Sequence, residues 1–121
     1  MVAAAPVPVA TAMFDAYFGG INDKDYDRVA TVLDPASADE MAGLERGTRS
    51  IHDSEISLRG LSDLDDGRLL ADVAFRSRQD PGAGPKGRTG ETCTRWRIAY
   101  TVSTSAGAYL LVKGSAPAGP C

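Results

Sequence analysis

Apolar residues in the first part of the chain recur at spacings of three and four, so that Ala10, Met13, Phe14, Tyr17, Phe18 and Ile21 share one helical face. This spacing predicts a first helix over residues 8 to 21. Asp25 then stands where an N-cap would, and Tyr26, Val29, Ala30 and Leu33 again share a face until Pro35, which cannot continue a helix. Ser37 followed by Glu40 has capping-box spacing, and Gly47 offers a C-terminal stop, which predicts a short third helix.

From Ser50 the period falls to two, with β-branched and aromatic residues alternating with polar ones. Four strands are expected, over about residues 51 to 61, 68 to 79, 92 to 103 and 108 to 114, joined by SDLDDG, DPGAGPKGRTGE and TSAG. Three N-terminal helices packed on a curved, mainly antiparallel four-stranded sheet make an α+β domain. The second and third strands carry their own register. Pairing Phe75 with Trp96, Val73 with Ile98, Ala71 with Tyr100 and Leu69 with Val102 puts all eight side chains on one face. The opposite face then carries Asp72, Ala74, Arg76 and Arg78 against Ala99, Arg97, Arg95 and Cys93. A slip of one residue would scramble both faces, while a shift of two would keep them.

Composition adds bounds to this outline. A chain of 121 residues with 24% charged and 43% hydrophobic residues suits one globular domain. A net charge of -3 gives no generic attraction to nucleic acid or to an anionic membrane. No apolar run approaches the roughly 20 residues that span a bilayer. The opening MVAAAPVPVA lacks a basic n-region and carries Pro6 and Pro8 where a signal peptide needs an unbroken apolar stretch, so residues 1–8 read as a linker and 9–121 as the domain. The excess of arginine over lysine, with many alanines and glycines, fits a GC-rich bacterial genome.

A first helix ending in YFGGIND, a capped second helix DYDRVATVLD, a short third helix and a bent antiparallel sheet resemble the nuclear transport factor 2-like, or SnoaL-like, superfamily. The run FRSRQDPGAGPKGRTGETCTRW with a terminal PC resembles more narrowly its bacterial extracytoplasmic members, such as domains attached to actinobacterial membrane proteins including serine/threonine kinases. The resemblance covers about residues 10 to 121. It implies a cone-shaped, cystatin-like roll enclosing a pocket, often with a second copy packed on the outer sheet surface. Some members are isomerases, cyclases or dehydratases and others are binding or assembly modules, so fold alone does not settle activity. Catalytic members place a carboxylate or histidine inside the cone, and no residue here matches such a motif.

Several residues bear on chemistry. Cys93 and Cys121 are the two cysteines, and the SAPAGP segment before Cys121 can fold back across the outer face to join them. Such a disulfide persists in an oxidising compartment; two unrelated thiols are the alternative. Two cysteines and one histidine cannot build a four-ligand zinc site, and no motif calls for a cofactor. His52, the single histidine, adjoins Asp53, but neighbours on a strand point to opposite faces, so a solvent-facing His52 is expected. Tyr17, Phe75, Trp96 and Tyr100 converge on the concave side, as packed core or as the lining of an apolar pocket. Arg76, Arg78, Arg95 and Arg97 form a row on the outer face. They read as solvated arginines screened by Asp72 and Glu91, or as a surface for an acidic partner.

These features point to a non-catalytic extracytoplasmic domain that binds a small apolar ligand or a protein partner, with any membrane link supplied by a tether outside this chain. The alternative is a small isomerase- or cyclase-type enzyme using Tyr17 and a pocket carboxylate, Asp53 or Asp72. The enzyme requires an ionisable group inside the cone. The outer face, with apolar residues of AYLLVKG beside the arginines, is expected to be covered by residues 115–121 or by a second subunit in a homodimer.

Overall fold

A computed structural model describes residues 6–34, 37–64, 67–103, 110–115 and 118–121. Helices α1 (Pro6–Asp23), α2 (Tyr26–Ala30) and α3 (Ala38–Thr48) precede strands β1 (His52–Asp63), β2 (Leu69–Arg78), β3 (Cys93–Ser103), β4 (Leu110–Ser115) and β5 (Ala118–Pro120). The domain is α+β, with a curved antiparallel sheet in the order β1-β2-β3-β4 and β5 alongside β3. Of the expected linker, residues 1–5 lie outside the described residues and Pro6 to Pro8 open α1.

The apolar stripe of α1 does what its spacing predicts. Met13, Phe14 and Phe18 pack on Leu69, Ala71, Val73 and Phe75 of β2, on Tyr100 and Val102 of β3, and on Leu111 of β4. Lys24 ends the helix in a left-handed conformation, with φ 57°, and its neighbour's N–H, on Asp25, donates to Gly20 O at 2.8 Å. Asp25 caps α2 by accepting from the Arg28 N–H, and Ser37 caps α3 by accepting from the Glu40 N–H, both at 3.2 Å. Gly47 is not the stop expected of it, because α3 runs one residue further to Thr48.

Helix α2 also ends sooner than Pro35 requires. After Ala30 the chain continues in tight turns, the Thr31, Val32 and Leu33 N–H groups donating to Arg28, Val29 and Ala30 O, and Leu33 bridges Leu111 in parallel. The Leu111 N–H donates to Val32 O at 2.8 Å and the Asp34 N–H donates to Leu111 O at 2.9 Å. Residues 32–34 therefore pair with the outer edge of β4, and those backbone bonds outweigh another helical turn.

The β2–β3 register matches the expected pairing, from Leu69 opposite Val102 through Phe75 opposite Trp96 to Arg78 opposite Cys93. Between β1 and β2 the register shifts twice, at Ser54/Ser57 and at Leu58/Gly60. The first shift contains Glu55, held at φ 54°, beside the exposed Ile56. These bulges bend the first strand and let both Asp53 and Leu58 face inwards. The glycine-rich connection between β2 and β3 is a built hairpin extension. The Gly82 and Gly84 N–H groups donate to Thr89 O at 2.7 and 3.0 Å, and a Cβ on Gly84 would lie 2.3 Å from Arg88 O.

The C-terminal segment corrects two expectations. A fifth strand adds to the expected four. β5 pairs with residues 94–96 of β3 in the register that β4 sets from Ala99 opposite Ser115, so β4 and β5 form one interrupted strand. The tail thus extends the sheet sideways and does not lie across the outer face, on which Arg95 and Arg97 are exposed. Leu111 points into the core, whereas Tyr109 lies outside the described residues. The disulfide joins Cys93 to Cys121, with the Cα atoms 5.6 Å apart and a sequence separation of 28. Closing such a loop restricts the unfolded chain by about 3.5 kcal/mol in the chain-entropy account.

Two predictions follow from this packing. A Cβ on Gly20 would stand 2.5 Å from Val29 Cγ2 and 3.0 Å from Asp25 O, so Gly20→Ala is expected to lower unfolding free energy in urea by about 1–2 kcal/mol. Gly43→Ala meets only Arg46 Nη2 at 3.9 Å and is expected to raise it by about 0.5–1 kcal/mol. If both variants moved the same way, the close approach of α1 and α2 would not be the constraint. Reduction of the disulfide is expected to speed amide hydrogen exchange at residues 94–96 and 118–119 before α1 responds; uniform exchange would refute this.

Candidate functional site

One end of the inner sheet face stays open between α1, the α3–β1 junction and the strands. There Tyr17, Phe18, Phe75, Trp96 and Tyr100, with Ile21, Ile51 and Ile98, line a pocket of about 140 Å³. Asp53, Ser77 and Thr48 are its polar residues apart from the tyrosine hydroxyls. All four aromatic residues expected on the concave side come together here. Tyr100 and Phe75 are buried in the core and still contribute to the wall, so packing and lining are one role. The rings contact one another in tilted or edge-on pairs, Tyr17 with Tyr100 at 6.2 Å and Phe18 with Phe75 at 4.8 Å between centroids. Phe75 and Trp96 lie nearly parallel, 6.4 Å apart.

Asp53 reaches this pocket because the end of α1 grips the start of β1. The Asn22 side chain accepts from the Asp53 N–H at 2.7 Å and donates to the Asp53 carbonyl at 2.8 Å. Lys24 Nζ donates to Thr48 O at 2.9 Å and to Ile51 O at 2.5 Å. With the backbone fixed on both sides, strand alternation sends Asp53 inward and His52 out to solvent. Asp53 is 5% exposed, and one carboxyl oxygen accepts a short hydrogen bond from the Ser77 hydroxyl.

The electrostatics follow from that burial. Loss of solvent raises the Asp53 pKa above the ordinary carboxylate value, against the Ser77 hydrogen bond and the charges of Lys24 and His52. Burial likewise pushes the Tyr17 phenol up to about 12, and the nearby Asp53 charge acts in the same direction. Tyr100 is raised further, by burial first and then by Tyr17 and Asp53. Both phenols therefore stay protonated at neutral pH, and no hydrogen bond among the described residues ties down either hydroxyl. The pocket thus offers one carboxylate and two phenols to whatever enters it.

Asp72, the other carboxylate considered for the pocket, is excluded from it. It lies on the outer face, where Arg97 donates to it through Nε at 3.1 Å and Nη2 at 2.8 Å, and this pairing lowers its pKa. The arginine row is present, with Arg76 opposite Arg95, but its screening differs from expectation. Arg76 pairs with Glu55 at 3.1 Å, supplied by the β1 bulge. Glu91 faces away from the row, binding Arg88 at 3.1 Å and accepting from the Thr94 hydroxyl at 2.6 Å. Arg78 and Arg95 are exposed. A buried polar group stands beside this: Gln79 Nε2 donates to Thr94 Oγ1 at 2.8 Å and to Glu91 O at 2.9 Å.

Asn22, Ser77 and Lys24 were not singled out in the sequence. Ser77 was within reach, since it continues the inward series Val73, Phe75 by one step. Asn22 had no signal, because a side-chain amide that binds a strand edge leaves no periodicity. Comparison with known proteins finds no matching family model, no matching curated protein and no matching solved structure. The site is therefore read from its own geometry. Among the described residues, no helix is long and apolar enough to cross a membrane.

The raised Asp53 pKa has a direction in stability. A carboxyl that binds its proton more tightly folded than unfolded weakens the fold above its raised pKa, and that penalty is relieved as pH falls towards the ordinary 3.8. Asp72 and Glu91, held below their ordinary values, act in the opposite sense at acid pH. Asp53→Asn isolates the first effect. Its unfolding free energy relative to the unaltered protein is expected to improve from about pH 4 to about pH 7. Urea titrations at both pH values check this, and a pH-independent difference would contradict it.

Proposed function

We propose that the chain is a non-catalytic ligand-binding domain whose pocket takes a small, largely apolar molecule and orients it with the Asp53 carboxylate. One observation carries the reading, a pocket of about 140 Å³ walled by five aromatic side chains and holding a single buried carboxylate. Cavities near 150 Å³ admit benzene, so the ligand has about six to eight non-hydrogen atoms. The pocket, more than the outer face, is the better binding surface, because two of the four outer arginines are already paired within the chain.

The same reading extends to fold family and location. Helices on the concave side of a bent sheet, a bulged first strand and a pocket at the open end support a cone-shaped, cystatin-like roll of the nuclear transport factor 2-like type. The Cys93–Cys121 disulfide supports an oxidising, extracytoplasmic setting, with the domain secreted or tethered through a segment outside this chain.

A specific observation favours a second reading. Asp53 is an ionisable group inside the pocket with a raised pKa, next to two protonated phenols, and this is the arrangement that proton abstraction beside a carbonyl needs. In that reaction Asp53 would take the proton from carbon while a tyrosine hydroxyl donates to the developing oxyanion.

Trp96 is the single tryptophan and lines the pocket, so its fluorescence reports occupancy. Titration with toluene and with cyclohexanone is expected to give saturable changes, and linear or absent responses with both would refute the binding reading. Cyclohexanone in deuterium oxide separates the two readings. Exchange at the α-carbon above the buffer rate, lost in Asp53→Asn, establishes proton abstraction, whereas saturable binding without exchange leaves a binding domain.

A further inference from the structure

We propose that the molecule bound in this pocket is a small organic ammonium cation, held by the aromatic walls and by the Asp53 carboxylate. The inference deepens the ligand-binding reading and rests on it. Asp53 is 5% exposed and has no cationic partner among the described residues, whose ion pairs join other groups. Lys24, the nearest candidate, spends its ammonium on the carbonyls of Thr48 and Ile51. His52 is exposed on the opposite side of the strand. The Ser77 hydroxyl satisfies one carboxylate oxygen, and together with the charges of Lys24 and His52 it does not offset the desolvation of the carboxylate.

The remaining walls discriminate by charge. Tyr17, Phe18, Phe75, Trp96 and Tyr100 surround the space with rings whose faces are electron-rich, and such faces attract a methylated or protonated nitrogen more strongly once water is excluded. Of the titratable groups facing Asp53 from other elements, Tyr17 and Tyr100 are raised and therefore neutral, and Lys24, whose charge acts on Asp53, is held on the Thr48 and Ile51 carbonyls and does not line the pocket. An anion would meet a buried carboxylate with no compensating donor beyond two phenols. A neutral molecule of the same shape would fill the volume and leave the carboxylate unpaired.

Choline and 3,3-dimethylbutan-1-ol test this, because they share shape and hydroxyl and differ in the charge of one atom. Trp96 fluorescence or calorimetry on the oxidised chain at pH 7.5 is expected to show choline binding at least tenfold more tightly. Choline does not titrate, so its affinity reports protein groups alone. Equal or weaker binding of choline overturns the inference while leaving the ligand-binding reading in place. No binding of either compound overturns the inference, and toluene and cyclohexanone then decide the broader reading separately. In Asp53→Asn, shown to be folded by its melting transition, choline is expected to fall to the affinity of the alcohol; retention of the tenfold preference overturns the role of the carboxylate. Should that variant not fold, the ratio in the unaltered protein still decides the matter.

Discussion

Asn22 holds the first strand by its backbone, and the placement of the pocket carboxylate depends on it. Its side-chain amide meets both the N–H and the carbonyl of Asp53, at 2.7 and 2.8 Å, as a peptide group of a neighbouring strand would. The strand edge is thereby closed without another strand, and the residue so fixed can turn only one way. Because Asp53 pairs with Ser77 on its other side, the same residue joins α1, β1 and β2 at one point. Lys24 strengthens this joint two residues later by binding the carbonyls before β1. The left-handed backbone at Lys24 is strained for a residue with a Cβ, and a glycine there would relieve it at the loss of that ammonium.

Much of this was legible in the sequence wherever a period carried it. The stripe from Ala10 to Ile21 predicts α1, and the alternation of β2 and β3 fixes the parity of their pairing, since any odd shift would bury arginines and expose Phe75 and Trp96, although a shift of two would keep both faces. The convergence of Tyr17, Phe75, Trp96 and Tyr100 follows from those two patterns together. What the periods did not carry was lost. The β1 bulges break alternation where it would have been read, and they bring Glu55 to Arg76 from a position that a regular strand would not supply. β5 holds three residues, Ala118, Gly119 and Pro120, none with strand propensity. It pairs because β4 and the disulfide bracket it, which is a constraint of chain connection and not of residue type.

The polar residues on the inner face show how far burial and charge have been separated in this fold. Ser77, Thr94 and Gln79 are buried beside the aromatic layer, and each has a hydrogen-bond partner: Asp53, Glu91 and Thr94 in turn. Thr94 and Gln79 are neutral groups, and hydrogen bonds recover most of the cost of removing Thr94 and the Gln79 amide nitrogen from water, although Gln79 Oε1 is buried without a partner among the described residues. Asp53 is different in kind. Desolvation of a charge exceeds what one hydroxyl returns, which is why its proton is held more tightly than in an exposed carboxyl.

That difference bears on what the residue is for. If Asp53 served only to accept the Ser77 hydroxyl, an asparagine would accept the same bond through its amide oxygen with no charge to bury. Its backbone, gripped by Asn22, would be unaffected, because those two hydrogen bonds involve the main chain alone. The structure therefore contains everything needed to position this residue and nothing that requires it to be charged. The Ser77 bond and the charges of Lys24 and His52 do not offset the desolvation of this carboxylate, so it lowers stability, and under the proposed function a ligand makes use of that cost. On the proposed reading that ligand approaches from the pocket, whose lining includes Asp53.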